Sequence, residues 1–231
     1  MTSNLEEYLQ PSELCDFDRS PEIKAKALKL TNGCATPSQK FKQLFNFVKE
    51  LTYGLEDWDV AASETLAKGW GMCSAKANLL VALLRSLGIP ARYRAYRIRA
   101  EVNLWVAVTG ERDVSGRMGP SPSQQDHVDC EVWLGEWTVC DPARDTPLEH
   151  GMMALGIPLK REPVLDASGN AHYTILVNLD NWARQRQSRR VVREDRAEVF
   201  AKVNEQLSEI RTLGGRRRET TKKTGRHPGK K

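Results

Sequence analysis

Between residues 37 and 51 the chain reads PSQKFKQLFNFVKEL, and Phe41, Leu44, Phe45, Val48 and Leu51 recur at helical spacing. That stripe predicts an amphipathic helix with one buried face, opened by Pro37. PEIKAKALKLT, residues 21–31, predicts a shorter helix before it, and ASETLAKGW, from Ala62, a turn of helix after it. From Cys73 to Leu87 the pattern broadens. Ala77, Leu80, Leu84 and Leu87 form one face, and Leu79, Val81 and Leu83 are apolar beside them. A helix apolar over so wide an arc belongs at the centre of a core. Gly88 suits a left-handed cap and Pro90 blocks continuation.

The period then shortens. ARYRAYRIRA, residues 91–100, alternates and predicts a strand, and LWVAV, residues 104–108, is a candidate strand. A long polar stretch rich in Gly, Pro and Ser runs through residues 110–126, a length that marks a functional or disordered loop. DHVDCEVWLGEWTVCDPARD, residues 126–145, predicts a hairpin turning at Gly135-Glu136. In its first strand Val128, Cys130, Val132 and Leu134 share the core face. His127 therefore points to a cleft or to solvent. A further strand is expected in NAHYTILVNL, residues 170–179, and a charged helix over 181–213 with Val192, Val199, Val203, Leu207 and Ile210 as its stripe. The arginines in ARQRQSRRVVREDR read as its solvated face. Helices first and then paired strands predict an α+β fold, with 1–20 as an N-terminal arm and 21–180 as the main domain.

Charge sharpens one boundary. The segment 213–231 carries eight Lys/Arg against one Glu, so the net +5 of the chain becomes −2 once that segment is set aside. A disordered basic tail over 214–231 is expected, solubilising, with weak, nonspecific and salt-sensitive contacts to polyanions. The longest apolar run, Leu79 to Leu84, is too short to cross a bilayer, and MTSNLEEYLQPSELCDF has no apolar signal segment. A cytoplasmic protein with reduced cysteines and no membrane partner is expected. Cys15, Cys34, Cys73, Cys130 and Cys140 are odd in number and form no CxxC pair, which argues against a disulfide framework and a structural zinc site. No cofactor or metal is called for.

Cys73 remains. It stands at the start of the central helix, behind Gly69-Trp70-Gly71, where unpaired N–H groups and the helix dipole favour a thiolate. Gly71 would let a substrate backbone approach. An imidazole, His127, and a carboxylate, Asp141, lie on neighbouring strands of the hairpin, the arrangement that activates a thiol.

GMCSAKANLLVALLRSLGIPAR followed by HVDCEVWLGEWTVCDPARD resembles the transglutaminase-like superfamily of papain-related thiol enzymes. The shared features are a Gly-x-Cys helix start, a Leu-rich helix ending in Leu-Gly-Ile-Pro-Ala-Arg, then His-x-x-x-Glu, Gly-x-Trp and Asp-Pro. The resemblance covers roughly residues 38–145. It implies a papain/transglutaminase-like core: a central helix carrying the thiol, packed on an antiparallel sheet carrying His and Asp. It also implies Cys73 as nucleophile, His127 as general base and acid, and Asp141 as orienting carboxylate. The expected chemistry is acyl transfer through a Cys thioester. The acyl group passes to water on a peptide, protein or small amide substrate, or to an amine in an amide-forming variant. A nonenzymatic binding module is the remaining alternative. An oxyanion-stabilising Trp upstream of the thiol is implied as well, and Trp58 and Trp70 are both candidates. Ser74 stands where animal transglutaminases carry Trp, and flanking sandwich domains are missing, so calcium-dependent crosslinking is not expected.

Overall fold

The computed structural model describes residues 5–99, 124–187 and 193–224. The candidate strand at 104–108 and most of the loop 110–126 lie outside them. Helices α1 (Pro21–Leu30), α2 (Pro37–Glu50), α3 (Ala62–Lys68) and α4 (Cys73–Ser86) form where the periodicity puts them. Helix α2 opens on a capping box: Thr36 accepts from the Gln39 N–H and Gln39 accepts from the Thr36 N–H. Strands β3 (Ala91–Arg99), β4 (Gln124–Trp133), β5 (Trp137–Cys140) and β6 (Thr174–Leu176) form an antiparallel sheet in the order β5-β4-β3-β6. A small parallel pair, β1 (Thr52–Tyr53) and β2 (Trp70–Gly71), leads into α4. The end of the expected loop, 124–126, is already strand.

Helix α4 is buried on every side from Cys73 to Arg85 and packs against α1, α2, α3, β3 and β4. Three of its polar residues, Asn78, Arg85 and Lys76, are satisfied inside the core. Asn78 donates to the Leu14 carbonyl at 2.8 Å and accepts the Tyr93 hydroxyl at 2.8 Å. Arg85 donates to the carbonyls of Gln10, Ala91 and Val177. Lys76 donates to the carbonyls of Lys49 and Leu51 at the end of α2, and burial pulls its pKa down to about 7. These bonds fix the helix against its neighbours, and so fix the thiol at its first position. The segment expected to be an arm joins this core, with Leu14 and Cys15 both buried.

The C-terminal region departs further from the pattern. A helix α5 (Thr146–Ala154) follows the hairpin, opened by Asp145, whose side chain accepts the Leu148 N–H at 2.9 Å. The helix expected over 181–213 is two: α6 (Asp180–Gln187) and α7 (Arg193–Thr224). Helix α7 also runs past 214, where a disordered tail is expected. Its docked half supplies the costly nucleus, and RRRETTKK extends it without a proline. Val203, Leu207 and Ile210 pack with Leu148, Met152 and Ile157 into a second core cluster.

The α5–α7 crossing depends on Gly151. A Cβ there would stand 2.0 Å from the Ile210 carbonyl oxygen. In an isolated helix, Gly→Ala is worth about 1 kcal/mol of stabilisation. Here the clash is expected to reverse the sign, costing about 1–3 kcal/mol net and roughly 2–12 °C in Tm. A thermal melt of Gly151→Ala decides it; a raised Tm would refute the crossing.

Candidate active site

The start of α4 is held by a buried acid. Glu56 accepts the Met72 N–H through Oε1 at 2.8 Å, and its other oxygen pairs with Lys68. Met72 is extended and takes the N-cap position, and the first intrahelical bond of α4 runs from the Lys76 N–H to the Met72 carbonyl. The N–H groups of Cys73, Ser74 and Ala75 therefore have no acceptor within the helix. Gly71 is buried, and a Cβ on it would stand 3.1–3.2 Å from Ala75, Glu56 and Thr65. The room that the glycine leaves is filled by the protein's own side chains.

Strand β4 delivers the imidazole and the end of β5 the carboxylate. His127 Nε2 and Asp141 Oδ2 are 3.0 Å apart, and the Cys73 side chain is near enough to the same ring to help raise its pKa. With Nε2 on Asp141, Nδ1 is the nitrogen left for the thiol. Asp141 Oδ1 accepts the Ala143 N–H at 2.9 Å. The three residues singled out in the sequence thus meet, on α4, β4 and the end of β5.

The surroundings of the imidazole differ from expectation. His127 lies on the face opposite Val128 and Cys130, yet it is only 2% exposed, neither in solvent nor in an open cleft. The chain returns across that face. Tyr96, its register partner on β3, meets the ring edge-on at 5.3 Å between centroids. The Tyr96 hydroxyl donates to Asp129 at 3.0 Å, and Arg94 grips Asp129 with two bonds of 2.8 and 2.7 Å. On the other side Arg161 pairs with Asp141 Oδ2, the oxygen that also faces His127.

Electrostatics follow from these contacts. Burial and the Arg161 charge push the His127 pKa down, but Asp141 and the nearby Cys73 side chain more than offset them, and it rises to about 9. Burial alone would raise the Asp141 pKa; Arg161, His127 and the Ala143 N–H instead hold the carboxyl well below the usual carboxylate range. His127, Asp129 and Asp141 present ligand atoms within 4.8 Å of one another, a spacing that a metal ion accepts. Arg94 and Arg161 already neutralise those two carboxylates, so the cluster does not suit a cation.

The two tryptophan candidates are both built into the fold. Trp58 is buried edge-on against Trp182 of α6 at 5.1 Å, and its backbone N–H donates to the Gln187 side-chain oxygen at 3.2 Å. Trp70 is half-buried, with the Lys68 ammonium 4.5 Å from its ring centroid. Cys130 and Cys140 are register partners on the core side, free, with sulfurs 3.5 Å apart. Glu56, Arg94, Tyr96, Asp129 and Arg161 were not singled out by the sequence pattern. Only Asp129 carried a local signal, two residues from His127 on one strand face.

Among the described residues no helix is long and apolar enough to cross a membrane. Several solved structures are similar to this chain. A putative cysteine protease from Cytophaga hutchinsonii is 20% identical at a TM-score of 0.47, over 77% of this chain and 53% of that one. A putative protease from Parabacteroides distasonis is 15% identical at 0.36, over 55% and 25%. Red sea bream transglutaminase is 13% identical at 0.36, over 74% and 42%. The chain thus spans about half the length of the first of these and less of the others. No curated protein matches the sequence. The sequence model of the transglutaminase-like superfamily matches residues 24–142, just over half of the chain and including all three of Cys73, His127 and Asp141. The chain, an α+β protein with a four-stranded antiparallel sheet packed on helices, belongs to the transglutaminase-like superfamily.

Proposed function

We propose that this protein is a cysteine enzyme that hydrolyses an amide or related acyl bond in a peptide, protein or small-molecule substrate. The observation that carries the reading is the placing of the imidazole: His127 Nε2 stands 3.0 Å from the Asp141 carboxylate, and the Cys73 side chain at the start of α4 is near enough to the same ring to help raise its pKa. A His127 pKa raised to about 9 supports an imidazole basic enough to take the proton of a thiol beside it and to hand it on to a leaving group.

The steps balance on these groups. The Cys73 thiolate attacks the carbonyl carbon, and the oxyanion that forms accepts N–H donors from the uncapped first turn of α4. The imidazolium gives its proton to the departing amine as the C–N bond breaks, leaving a thioester. His127 then takes a proton from water, the hydroxide attacks, and the acid leaves as the proton returns to sulfur. The triad supports chemistry over a passive binding role, since a scaffold gains nothing from a buried, charged Asp–His–Cys array.

An activated amide or ester, followed by intact mass, tests the reading. A transient acyl adduct on Cys73 is expected, released as the free acid in buffer. Added primary amine is expected to leave the product mostly acid. A predominant amide product would assign an amide-forming transferase instead, and no adduct on Cys73 would refute the mechanism.

A further inference from the structure

We infer that Arg161 is a positioning residue of the catalytic centre, holding the Asp141 carboxylate jointly with His127 and setting how long the imidazole keeps its proton. This rests on the triad reading above. Arg161 comes from the stretch between α5 and β6, which has no helix or strand of its own at that point. The fold nonetheless fixes it from both sides. On the N-terminal side, Arg144, itself buried, donates to the Leu159 carbonyl. On the C-terminal side, the Arg99 N–H donates to the Glu162 carbonyl at 2.8 Å, and the Val164 N–H donates to the Arg97 carbonyl at 2.8 Å. Ile98 and Pro163 form a bridge between those two bonds. The segment is thus stapled to the edge of β3, and the Arg161 side chain, 11% exposed, reaches Asp141 through its guanidinium.

The consequence is a divided carboxylate. Asp141 Oδ2 faces both the imidazole and the guanidinium. A carboxylate that also neutralises an arginine stabilises an imidazolium less than one serving histidine alone. The guanidinium in addition repels the imidazolium directly. Together these restrain the imidazole's proton affinity, so that it can return a proton to a leaving amine.

The other charged or titratable groups around His127 do not duplicate the role. From α4 come Cys73, beside the ring, and Lys76, whose Nζ donates to the Lys49 and Leu51 carbonyls and whose pKa, pulled down to about 7 by burial, leaves it uncharged near pH 9. From β3 come Tyr96 and Arg94, and from β4 Asp129, which those two engage. Asp126, on β4, pairs with Arg186 of α6.

The test is the pH profile of Cys73 alkylation by iodoacetamide in the full chain, read by peptide mass, which needs no substrate. In the wild type an inflection is expected near pH 9, where His127 releases its proton beside the Cys73 sulfur. Removing a cation beside the ring makes the imidazolium easier to keep. Arg161→Gln is therefore expected to move that inflection to higher pH by about one unit. Arg161→Met, which keeps the aliphatic packing, should move it likewise, and Arg161→Lys, which keeps the charge, should restore most of the wild-type profile. A merely structural arginine would lower Tm and leave the inflection where it was, and that outcome overturns the inference alone. A wild-type Cys73 that alkylates no faster than Cys130, with no inflection, overturns the triad reading and the inference with it.

Discussion

Cys73→Ala is expected to cut turnover of an activated amide by on the order of 10⁶-fold while the chain stays folded. The size follows from the mechanism: without the sulfur no thioester forms, and what remains is binding and whatever the helix-start donors give an oxyanion. The survival of the fold follows from the packing. Cys73 contributes one sulfur to the core cluster, and the position is held by its neighbours rather than by itself. Glu56 fixes the Met72 N–H just before it, and Lys76 and Asn78 anchor the helix just after it. Alanine is also a better helix former than cysteine. A Tm close to wild type with abolished turnover is the expected pair of results, and Cys73→Ser should behave alike in stability. Retained turnover in Cys73→Ala would assign the reaction to another group.

What was legible in the sequence, and what was not, divides by the range of the interaction. Helix α4 was visible because its burial is written in consecutive residues, and the hairpin because alternation and a Gly-containing turn are local. The Cys73–His127–Asp141 set followed from motifs lying within short stretches. Helix α5 was missed although its signals were present: Asp145 before Thr146-Pro147, then Leu148 and Met152 one turn apart. Its buried face is narrow, and its partner, α7, lies far along the chain. Arg161 had no local signal at all. A lone arginine in LKREP reads as a solvated loop residue, and only the staple to β3 shows otherwise. The burial of His127 was misread for the same reason. Strand alternation tells which face a side chain takes, but not whether later chain covers that face.

Asp141→Asn is the second large effect, expected to lower kcat by about 10⁴-fold with a smaller change in KM. The isosteric amide keeps the shape of the site yet removes the one charge that both His127 and Arg161 address. In the wild type the carboxyl lies well below the usual carboxylate range, so it stays ionised through any ordinary working pH and contributes no acid limb of its own. In the variant the imidazolium loses its counter-charge, while the Arg161 cation stays beside it. The His127 pKa should fall from about 9 toward or below its ordinary value, and the alkaline limb of activity should move to lower pH. That shift is opposite in sign to the one expected for Arg161→Gln, although both substitutions break the same ion pair. A role for Asp141 in packing alone would give neither shift, and His127→Ala, which removes the titrating group, should abolish the limb together with roughly 10²–10⁴-fold of rate. Measured on one substrate, the three profiles separate a carboxylate that orients and charges the imidazole from one that merely ends a strand.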